Sequence, residues 1–318
     1  MEKILSIEKL KTYYQTLSGT IKAVDNVTLH VCKGEFLGIV GESGSGKSTL
    51  GLSILKLVPP PGRIIDGKII LNGINIIELN EKEMQKIRGK KIGMIFQDPM
   101  TSLNPLQKVG EQLIETLIVH EKISKKEAKE KAESLFEKVG IPKERFNDYP
   151  HQLSGGMRQR VMIAIAISLN PDIIIADEPT TALDVIVQAH ILDLLKNLME
   201  TYNLSIILIT HDLSIVLERC HKVAVMYAGN IVEYTDIYKI YEKPLHPYTI
   251  GLLQSIPNIK LDEQKINFIP GNPPDLINLP KGCRFFPRCI KRMEKCKEIN
   301  PELIEIDKEH FVRCFLYE

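Results

Sequence analysis

Residues 41–49 read Gly-Glu-Ser-Gly-Ser-Gly-Lys-Ser-Thr, with three glycines among the first six residues. It matches the pattern Gly-x4-Gly-Lys-Ser, which is typical of a phosphate-binding loop. A short apolar strand at residues 36–40 runs straight into the loop, and residues 48–58 are patterned as a helix. Strand, glycine-rich loop and helix together are the context that such a loop requires. The sequence therefore predicts a site for the phosphates of a nucleotide here.

The residue types of this loop suit ATP with Mg²⁺. Glycines let successive backbone N–H groups point inward at a helix N-terminus, a lysine adds positive charge beside the β- and γ-phosphates, and a serine hydroxyl can coordinate Mg²⁺. The predicted phosphate-binding residues are Gly41, Ser43, Gly44, Ser45, Gly46, Lys47, Ser48 and Thr49, of which Ser48 is also the predicted Mg²⁺ ligand. The alternative is a glycine-rich turn that binds nothing.

Two acids follow a second apolar strand. Asp177 ends the run Ile173-Ile-Ile-Ala, where a carboxylate suits the surroundings of Mg²⁺ beside a phosphate-binding loop. Glu178 comes directly after it, faces a different direction and could orient or deprotonate an attacking water. The alternative is a pair of charges at a helix N-terminus, which Pro179 would also fit.

The charge and hydropathy of the chain exclude several classes of protein. Lysine and arginine number 41 and aspartate and glutamate 40 in 318 residues, so a net charge of +1 gives no bulk attraction to nucleic acid or anionic lipid. No apolar run approaches the ~18–20 residues of a membrane-spanning helix. The first residues also lack the pattern of a signal peptide. We expect a cytosolic location, or one on the cytosolic side of a membrane.

Alternating strands and helices predict an α/β core with a parallel sheet. Half-exposed antiparallel strands are expected in the first forty residues, and residues 64–79 are typical of a hairpin that turns at Asn72-Gly73. Residues 110–140 have helical periodicity, with Ser124 as an N-cap, and Ser154 begins another helix. Buried strands are expected at residues 173–176 and 206–209.

The character of the chain changes after Tyr234, where prolines interrupt any long helix. We therefore predict one domain over residues 1–235, with a helical subdomain over about 98–165, and a C-terminal extension over residues 236–318. The prolines that define the extension are Pro244, Pro247, Pro257, Pro270, Pro273, Pro274 and Pro280.

Six cysteines divide into two groups. Cys32 and Cys220 lie in apolar segments and are expected to be buried thiols. The other four lie within the last 36 residues and have the spacing Cys283-x5-Cys289-x6-Cys296-x17-Cys314. The tight Cys-x2-Cys pairs of structural zinc sites are missing, and four widely spaced cysteines suit a 4Fe–4S cluster, with zinc or free thiols as alternatives. The cations expected to offset the thiolate charge are Arg284, Arg288, Arg292 and Lys295.

Leu153-Ser-Gly-Gly-Met157 resembles the signature motif of the ATP-binding cassette (ABC) family, with Met157 where glutamine is usual. In that family, the signature of one subunit caps the γ-phosphate held by the phosphate-binding loop (P-loop) of the other subunit. The resemblance implies that Ser154, Gly155 and Gly156 contact ATP on a partner subunit, which is another use of a helix N-terminus for binding anions.

Further motifs of the family follow in order. Gln97 resembles the Q-loop glutamine, which senses Mg²⁺ and water and links to a membrane partner. Thr181-Ala-Leu-Asp184 resembles the D-loop, which crosses to the opposite site, and His211 resembles the switch histidine on the γ-phosphate. The alternative for His211 is a structural histidine at a strand end. The family also implies an aromatic residue that stacks on adenine, for which Tyr14 is our choice and Tyr13 the alternative.

The catalytic residues implied by this resemblance are Glu178, His211 and Gln97. Its fold class is α/β: an ABC-type P-loop ATPase core with an antiparallel β subdomain and a helical subdomain, here followed by a small cysteine-containing C-terminal extension. The segments at residues 97–105, 149–153, 244–249, 269–274 and 282–289 resemble the oligopeptide and dipeptide importer branch, which nickel importers share. Some members of this branch carry a 4Fe–4S cluster, for which a structural role is expected.

The resemblance implies the ATP-hydrolysing subunit of a bacterial importer of dipeptides or oligopeptides, peripheral on the cytoplasmic face of the inner membrane. Its implied partners are a second ABC ATPase subunit, in a heterodimer or homodimer, and two transmembrane permease subunits that contact residues 97–112. A substrate-binding protein outside the membrane would act indirectly, and no nucleic acid is expected.

Three alternatives remain. A nickel-importer ATPase belongs to the same branch. A soluble ABC ATPase of DNA repair would need a long coiled coil between P-loop and signature, and one of translation would need two cassettes; this chain has neither. A P-loop kinase or GTPase would lack the signature and the D-loop.

Overall fold

The computed structural model describes residues 2–181, 183–256 and 269–318, so Ala182 of the predicted D-loop and Pro257 of the extension lie outside the described residues. The chain divides into two compact units. The first unit comprises Met1–Glu78 and Ile209–Glu318, and the second comprises Leu79–Leu208.

The strands, in chain order, are β1 (Lys3–Thr16), β2 (Gly19–Cys32), β3 (Phe36–Val40), β4 (Gly62–Leu71), β5 (Ile74–Asn75), β6 (Ile92–Ile95), β7 (Ile173–Asp177), β8 (Ser205–Thr210), β9 (Lys222–Tyr227), β10 (Asn230–Asp236), β11 (Ile304–Asp307) and β12 (His310–Val312).

The α-helices are α1 (Lys47–Ile54), α2 (Glu81–Ile87), α3 (Pro99–Ser102), α4 (Val109–Glu121), α5 (Lys125–Lys138), α6 (Gly155–Ile167), α7 (Val185–Tyr202), α8 (Leu213–Arg219), α9 (Ile237–Glu242), α10 (Pro247–Gln254) and α11 (Lys295–Glu298). Short 3₁₀ helices occupy Ile76–Glu78, Lys143–Asn147, Pro150–Gln152, Phe286–Arg288 and Phe315–Tyr317.

An antiparallel sheet in the first unit confirms the strands expected near the N-terminus. Its order is β2-β1-β4-β5, and the residues of β1 alternate between buried and exposed along much of its length. Asn72 and Gly73 both have positive φ, which two-residue hairpin turns require, and they connect β4 to β5 as predicted.

The second sheet of the first unit carries the phosphate-binding loop. Its strands lie in the order β11-β12-β10-β9-β3, and β3, parallel to β9, is buried throughout. The pairing of Tyr234 with Phe311 joins β10 to β12. The sequence pattern does not predict β11 and β12, because strands of four and three residues are too short for a recognisable alternation.

The second unit contains a parallel arrangement of strands and the predicted helices. Its strands lie in the order β8-β7-β6, with β6 parallel to β7. Ser124 is the N-cap of α5, as predicted, and forms a capping box with Glu127. Phe136 of α5 packs against Phe146, with ring centroids 5.3 Å apart.

Helix α1 is shorter than predicted. It ends at Ile54 rather than at Val58, because Lys56 adopts a positive φ of 52° that a helix cannot continue through. Among the described residues, no helix combines the length and the apolar character needed to cross a membrane.

Candidate nucleotide site and cysteine-lined cavity

The phosphate-binding loop connects the end of β3 to the start of α1, as the sequence predicts. Gly44 and Gly46 have φ values of 75° and 100°, which glycine adopts without strain, and Gly46 is the N-cap of α1. At Gly41 a Cβ atom would lie 2.0 Å from the carbonyl oxygen of Met226. The backbone is therefore tightly curled. Lys47 Nζ donates to the carbonyl oxygens of Gly41 and Glu42, at 2.8 and 3.0 Å.

The loop fits the phosphates of ATP in a second respect. Ser45 Oγ is buried and has no hydrogen-bond partner among the described residues, although the backbone N–H of Gly229 donates to the Ser45 carbonyl oxygen at 2.8 Å. A buried hydroxyl without a partner is costly, and a phosphate oxygen would satisfy it. Ser43 is exposed and Ser48 and Thr49 are half-buried, so these hydroxyls are also accessible to a ligand.

The two tyrosines considered for adenine stacking have different surroundings. Tyr13 donates its hydroxyl to Asp25 Oδ1 at 2.7 Å, and burial together with this bond raises the pKa of Tyr13 well above its usual value. Tyr14 is half-buried, and its hydroxyl lies 3.4 Å from Thr49 Oγ1 at the start of α1. Tyr14 is therefore the tyrosine nearer the loop, and its stacking role stays a prediction.

His211 follows directly after β8, and its side chain is exposed. The next residue, Asp212, is the N-cap of α8 and accepts from the backbone N–H of Ser214 at 2.8 Å. The sharp change from strand to helix leaves His211 at the tip of the connection. Its role as switch histidine stays a prediction.

In the second unit, Gln97 and Glu178 meet. Gln97 Nε2 donates to Glu178 Oε2 at 2.9 Å, and Thr181 Oγ1 donates to the same oxygen at 3.0 Å. Asp177 is the buried last residue of β7, while Glu178 has a φ of 44°. A non-glycine residue in this left-handed region costs about 1 kcal/mol or more, and such strain is common at functional sites. The strain therefore supports the choice of Glu178.

The predicted signature and D-loop each begin a helix of the second unit. Exposed Ser154 is the N-cap of α6 and accepts from the backbone N–H of Met157 at 3.3 Å, so the unusual Met157 leaves the cap in place. Gly155 follows at the first position of α6. A Cβ atom on Gly156 would lie 2.7 Å from Val187 Cγ1. Asp184 is the N-cap of α7 and accepts from the Val187 N–H at 2.9 Å.

The four C-terminal cysteines line one cavity. Its walls include Cys283, Cys289, Cys296 and Cys314. The backbone N–H of Cys283 donates to the Cys296 carbonyl oxygen at 2.8 Å, and burial raises the pKa of the Cys283 and Cys314 thiols to about 11. Within the described residues, no group of three or more His, Cys, Asp or Glu side chains is placed to hold a single metal ion. The predicted metal site is thus not confirmed. Cys32 and Cys220 are buried, as expected.

Two arginines pair with carboxylates and not, as expected, with the four cysteines. Arg284 and Arg288 were expected to offset the charge of the thiolates, but neither lines the cavity. Arg284 bonds to the carboxylate of Asp25 and the carbonyl oxygen of Ala228, and Arg288 bonds to both carboxylate oxygens of Glu42. The two carboxylates, of Asp25 and Glu42, lie 259 and 246 residues away in the chain. These two ion pairs could therefore not be predicted from the sequence. The local signal was that each arginine is adjacent to a cysteine, and it indicated a role in offsetting thiolate charge.

Comparisons with known proteins agree with this geometry. The family described as "ABC transporter" matches residues 24–181, and "Oligopeptide/dipeptide transporter, C-terminal region" matches residues 232–296. The oligopeptide transport ATP-binding protein AppD of Bacillus subtilis (strain 168) is 50% identical over 100% of this chain and 98% of its own length. The oligopeptide transport ATP-binding protein OppD of Escherichia coli (strain K12) is 47% identical over 99% of this chain and 93% of its own length.

Solved structures agree on the fold. The ATP-binding cassette MJ0796, a dimer in a post-hydrolysis state bound to ADP and Pi, matches with a TM-score of 0.67 and 32% identity. The match covers 73% of this chain and 98% of that one. The chain therefore belongs to the ABC transporter ATPases, in the branch of the oligopeptide and dipeptide transport ATP-binding proteins.

Proposed function

We propose that the chain is the ATP-hydrolysing subunit of an importer of dipeptides or oligopeptides. The observation that carries the proposal is the carboxylate of Glu178, held by Gln97 directly after a buried aspartate. The names of AppD and OppD, which this chain matches over nearly its whole length, supply peptides as the cargo. These relatives give no support to the nickel-import or soluble-cassette alternatives.

Each residue of the proposed site would have its own role in ATP binding or hydrolysis. The glycine loop and Lys47 would hold the phosphates of ATP, Ser48 and Gln97 would be ligands of Mg²⁺, and Asp177 would supply a carboxylate suited to the same metal. Bound Mg²⁺ would neutralise charge on the phosphates. Glu178, oriented by its bond to Gln97, positions the attacking water and draws a proton from it. His211 would contact the γ-phosphate.

The hydrolysis step is tested with Glu178→Gln in the full chain. We expect ATP turnover to fall at least ~100-fold, because general-base catalysis contributes roughly 10²–10⁴. MgATP binding should persist, because the phosphate-binding loop is unchanged. Glu200→Gln, at an exposed position of α7, is the matched control. Unchanged turnover in Glu178→Gln would remove Glu178 from this role.

We propose that two ATPase subunits close around two ATP molecules, with Ser154, Gly155, Gly156 and Asp184 of each facing the loop of the other. Val185 and Ile186, directly after Asp184, are large apolar side chains left exposed on this chain. Such side chains support a contact with another subunit. A related but different second chain is expected, with a homodimer as the alternative.

We propose that two permease subunits bind at residues 97–112. Met100 and Leu106 are exposed apolar side chains in this segment, and Leu106 is 87% exposed. Leu106→Asp should reduce co-purification with the permeases after gentle extraction and leave MgATP binding unchanged. Leu17→Asp, at the exposed turn between β1 and β2, is the control. Equal co-purification of both variants would exclude this surface.

The same proposal places the chain peripherally on the cytoplasmic face of a bacterial inner membrane, without nucleic acid as a partner. A net charge of +1 gives no bulk attraction to nucleic acid, which supports the second point. The substrate-binding protein outside the membrane would act through the permeases. We also propose residues 1–235 as the nucleotide-binding domain, with its helical part over about 98–165, and 236–318 as the extension specific to this branch.

We propose that Cys283, Cys289, Cys296 and Cys314 hold a 4Fe–4S cluster. A zinc ion needs sulfur ligands about 2.3 Å from one point, whereas these four thiols share a cavity without converging on one ion. A cluster accepts four wider-spaced thiolates. When bound, it would cross-link four points of the extension, which is a structural role.

The cluster is tested by purifying the full chain without oxygen. We expect a brown protein with about four irons and four sulfides per chain. Cys296→Ser should lose most of this iron, and Cys32→Ser, at a buried cysteine outside the cavity, should keep it. Zinc alone in the wild-type protein would contradict the proposal.

A further inference from the structure

The side chain of Arg288 reaches the second residue of the phosphate-binding loop. Its Nη1 atom lies 2.6 Å from Glu42 Oε2, and its Nη2 atom lies 2.9 Å from Glu42 Oε1. The Arg288 side chain is only 4% exposed. A two-point contact between a guanidinium and a carboxylate is among the stronger and more directional polar contacts in proteins. The C-terminal extension thus contacts the phosphate-binding loop through an ion pair at Glu42.

Other contacts fix the orientation of the guanidinium. Arg288 Nε donates to the Pro270 carbonyl oxygen at 2.9 Å, and Nη1 donates to the Tyr227 hydroxyl at 3.4 Å. The guanidinium also lies over the Tyr227 ring, 5.8 Å from its centroid. Because the planar group is held on several sides, little side-chain entropy remains to be lost when it binds Glu42.

Glu42 is held at its backbone as well. Its N–H donates to the Tyr248 hydroxyl at 2.9 Å, and its carbonyl oxygen accepts from Lys47 Nζ at 3.0 Å. Arg288 and Tyr248, which both contact Glu42, belong to residues 236–318. Lys47, which also contacts Glu42, is the lysine predicted to bind the phosphates. The shape of the loop therefore depends on contacts with the extension.

The charge of Glu42 would otherwise oppose the function of the loop. Its side chain is 29% exposed and lies in a loop built to attract a polyanion. A carboxylate without a countercharge repels phosphate, and the repulsion is strong where burial reduces screening. Arg288 supplies that countercharge at hydrogen-bonding distance.

We propose that Arg288 is a positioning residue for ATP binding, which neutralises and fixes Glu42 so that the loop accepts the phosphates of ATP. The inference rests on the ATP site proposed above. It gives the C-terminal extension a direct part in nucleotide affinity.

The test measures equilibrium binding of MgATP to the full chain, together with KM and kcat for ATP. Arg288→Ala should weaken MgATP binding about tenfold, because it removes the charge-assisted contact that holds Glu42. KM should rise by the same factor and kcat should stay within about twofold, because the contact affects ATP binding and not the chemical step. Arg288→Ala combined with Glu42→Gln should recover most of the affinity. Arg145→Ala, which removes an exposed arginine paired with Asp148 at 3.0 Å, should leave the affinity unchanged.

Two results would overturn the inference: unchanged affinity in Arg288→Ala, or a double variant that binds as weakly as the single one. If Arg288→Ala does not fold, Arg288→Lys takes its place, since it keeps the charge but loses the two-point contact; its loss of about threefold should again be reversed by Glu42→Gln. Lys47→Ala tests the site itself. If that variant binds ATP normally, the proposed site fails, whatever Arg288 does.

Discussion

One hydrogen bond of 2.9 Å joins Gln97 to Glu178, although the two residues are 81 positions apart. Glu178 has a left-handed backbone conformation, and two side chains donate to one of its carboxylate oxygens, Oε2. Gln97 is one partner and Thr181 is another. Under the proposed function, in which Gln97 is also a ligand of Mg²⁺, this bond would align the base with the metal.

We expect Gln97→Ala to reduce ATP turnover by about 10- to 100-fold, since a misdirected general base loses much of its contribution. MgATP affinity should change less than about threefold, because the phosphate-binding loop is untouched. Single-turnover hydrolysis and equilibrium binding measure the two quantities. Met100→Ala, in the same exposed segment, is the control. Equal turnover in both variants would contradict the alignment.

His246 makes the free energy of unfolding depend on pH. The side chain is buried, and its Nδ1 atom accepts from the backbone N–H of Tyr248 at 3.1 Å. Burial lowers the pKa of His246 to about 4, an effect that Glu233 opposes and Arg313 reinforces. Because the unfolded chain binds the proton more tightly, this stability is present above about pH 6.5 and is lost as the pH falls toward 4.

Between pH 7 and pH 5, His246 should account for a loss of about 2 kcal/mol in the free energy of unfolding. His246→Asn keeps an N-cap acceptor for α10 but cannot titrate, so the variant should lose correspondingly less stability over this range. Urea unfolding at the two pH values measures the difference. An identical pH dependence in wild type and variant would show that His246 is not the group responsible.

Helix α5 shows how a local sequence signal becomes structure. Ser124 Oγ accepts from the backbone N–H of Glu127, and Glu127 Oε2 accepts from the Ser124 N–H at 2.9 Å. The Ser124 hydroxyl also donates to Glu127 Oε2 at 2.7 Å, and this bond, together with that from the Ser124 N–H, lowers the pKa of Glu127. The apolar face of the helix, at Ala128, Ala132, Leu135 and Phe136, is buried. The cap sets where the helix begins, and burial of that face stabilises it.

Ser124→Ala should lower the free energy of unfolding by about 1 kcal/mol, because it leaves an N-terminal N–H of α5 without its partner. Ser124→Asn, which can still cap, should lose much less. Chemical unfolding at pH 7 compares the three proteins. The prediction is wrong if the alanine and asparagine variants are equally stable.

Local signals explain why much of the fold could be predicted. The glycine loop, the Asn72-Gly73 turn and the cap at Ser124 each act within a few residues. Two strands near the C-terminus could not be predicted in this way, because β12 is only three residues long and forms by pairing with β10. The contact between Glu42 and Arg288 spans 246 positions, so single-sequence patterns cannot reveal it.

The first unit joins the two ends of the chain through buried polar contacts. Arg313 donates to the carbonyl oxygens of Ile231 and Pro301, each at 3.0 Å, and to that of Asn26 at 3.2 Å. Arg313 is almost fully buried, and burial lowers its pKa to about 10. One side chain thus satisfies three carbonyl groups from separate parts of the unit.

Arg313→Met should lower the free energy of unfolding by about 2–4 kcal/mol, since it fills similar space but leaves buried carbonyl groups without donors. Arg63→Met, at an exposed position of β4, should change it by less than about 0.5 kcal/mol. Urea unfolding of the full chain measures both. A loss below 1 kcal/mol in Arg313→Met would mean that other groups satisfy these carbonyls.

The pairing of β10 with β12 has a consequence for synthesis on the ribosome. A chain emerges from its N-terminus, so the phosphate-binding loop leaves the ribosome long before Arg288 and the last strands do. Until residues 288 and 310–312 have been synthesised, Glu42 lacks Arg288 and β10 lacks β12 along one edge. Prematurely terminated chains would carry that open edge, which is a known route to aggregation. Full affinity for nucleotide would therefore be reached only after synthesis has passed Arg288.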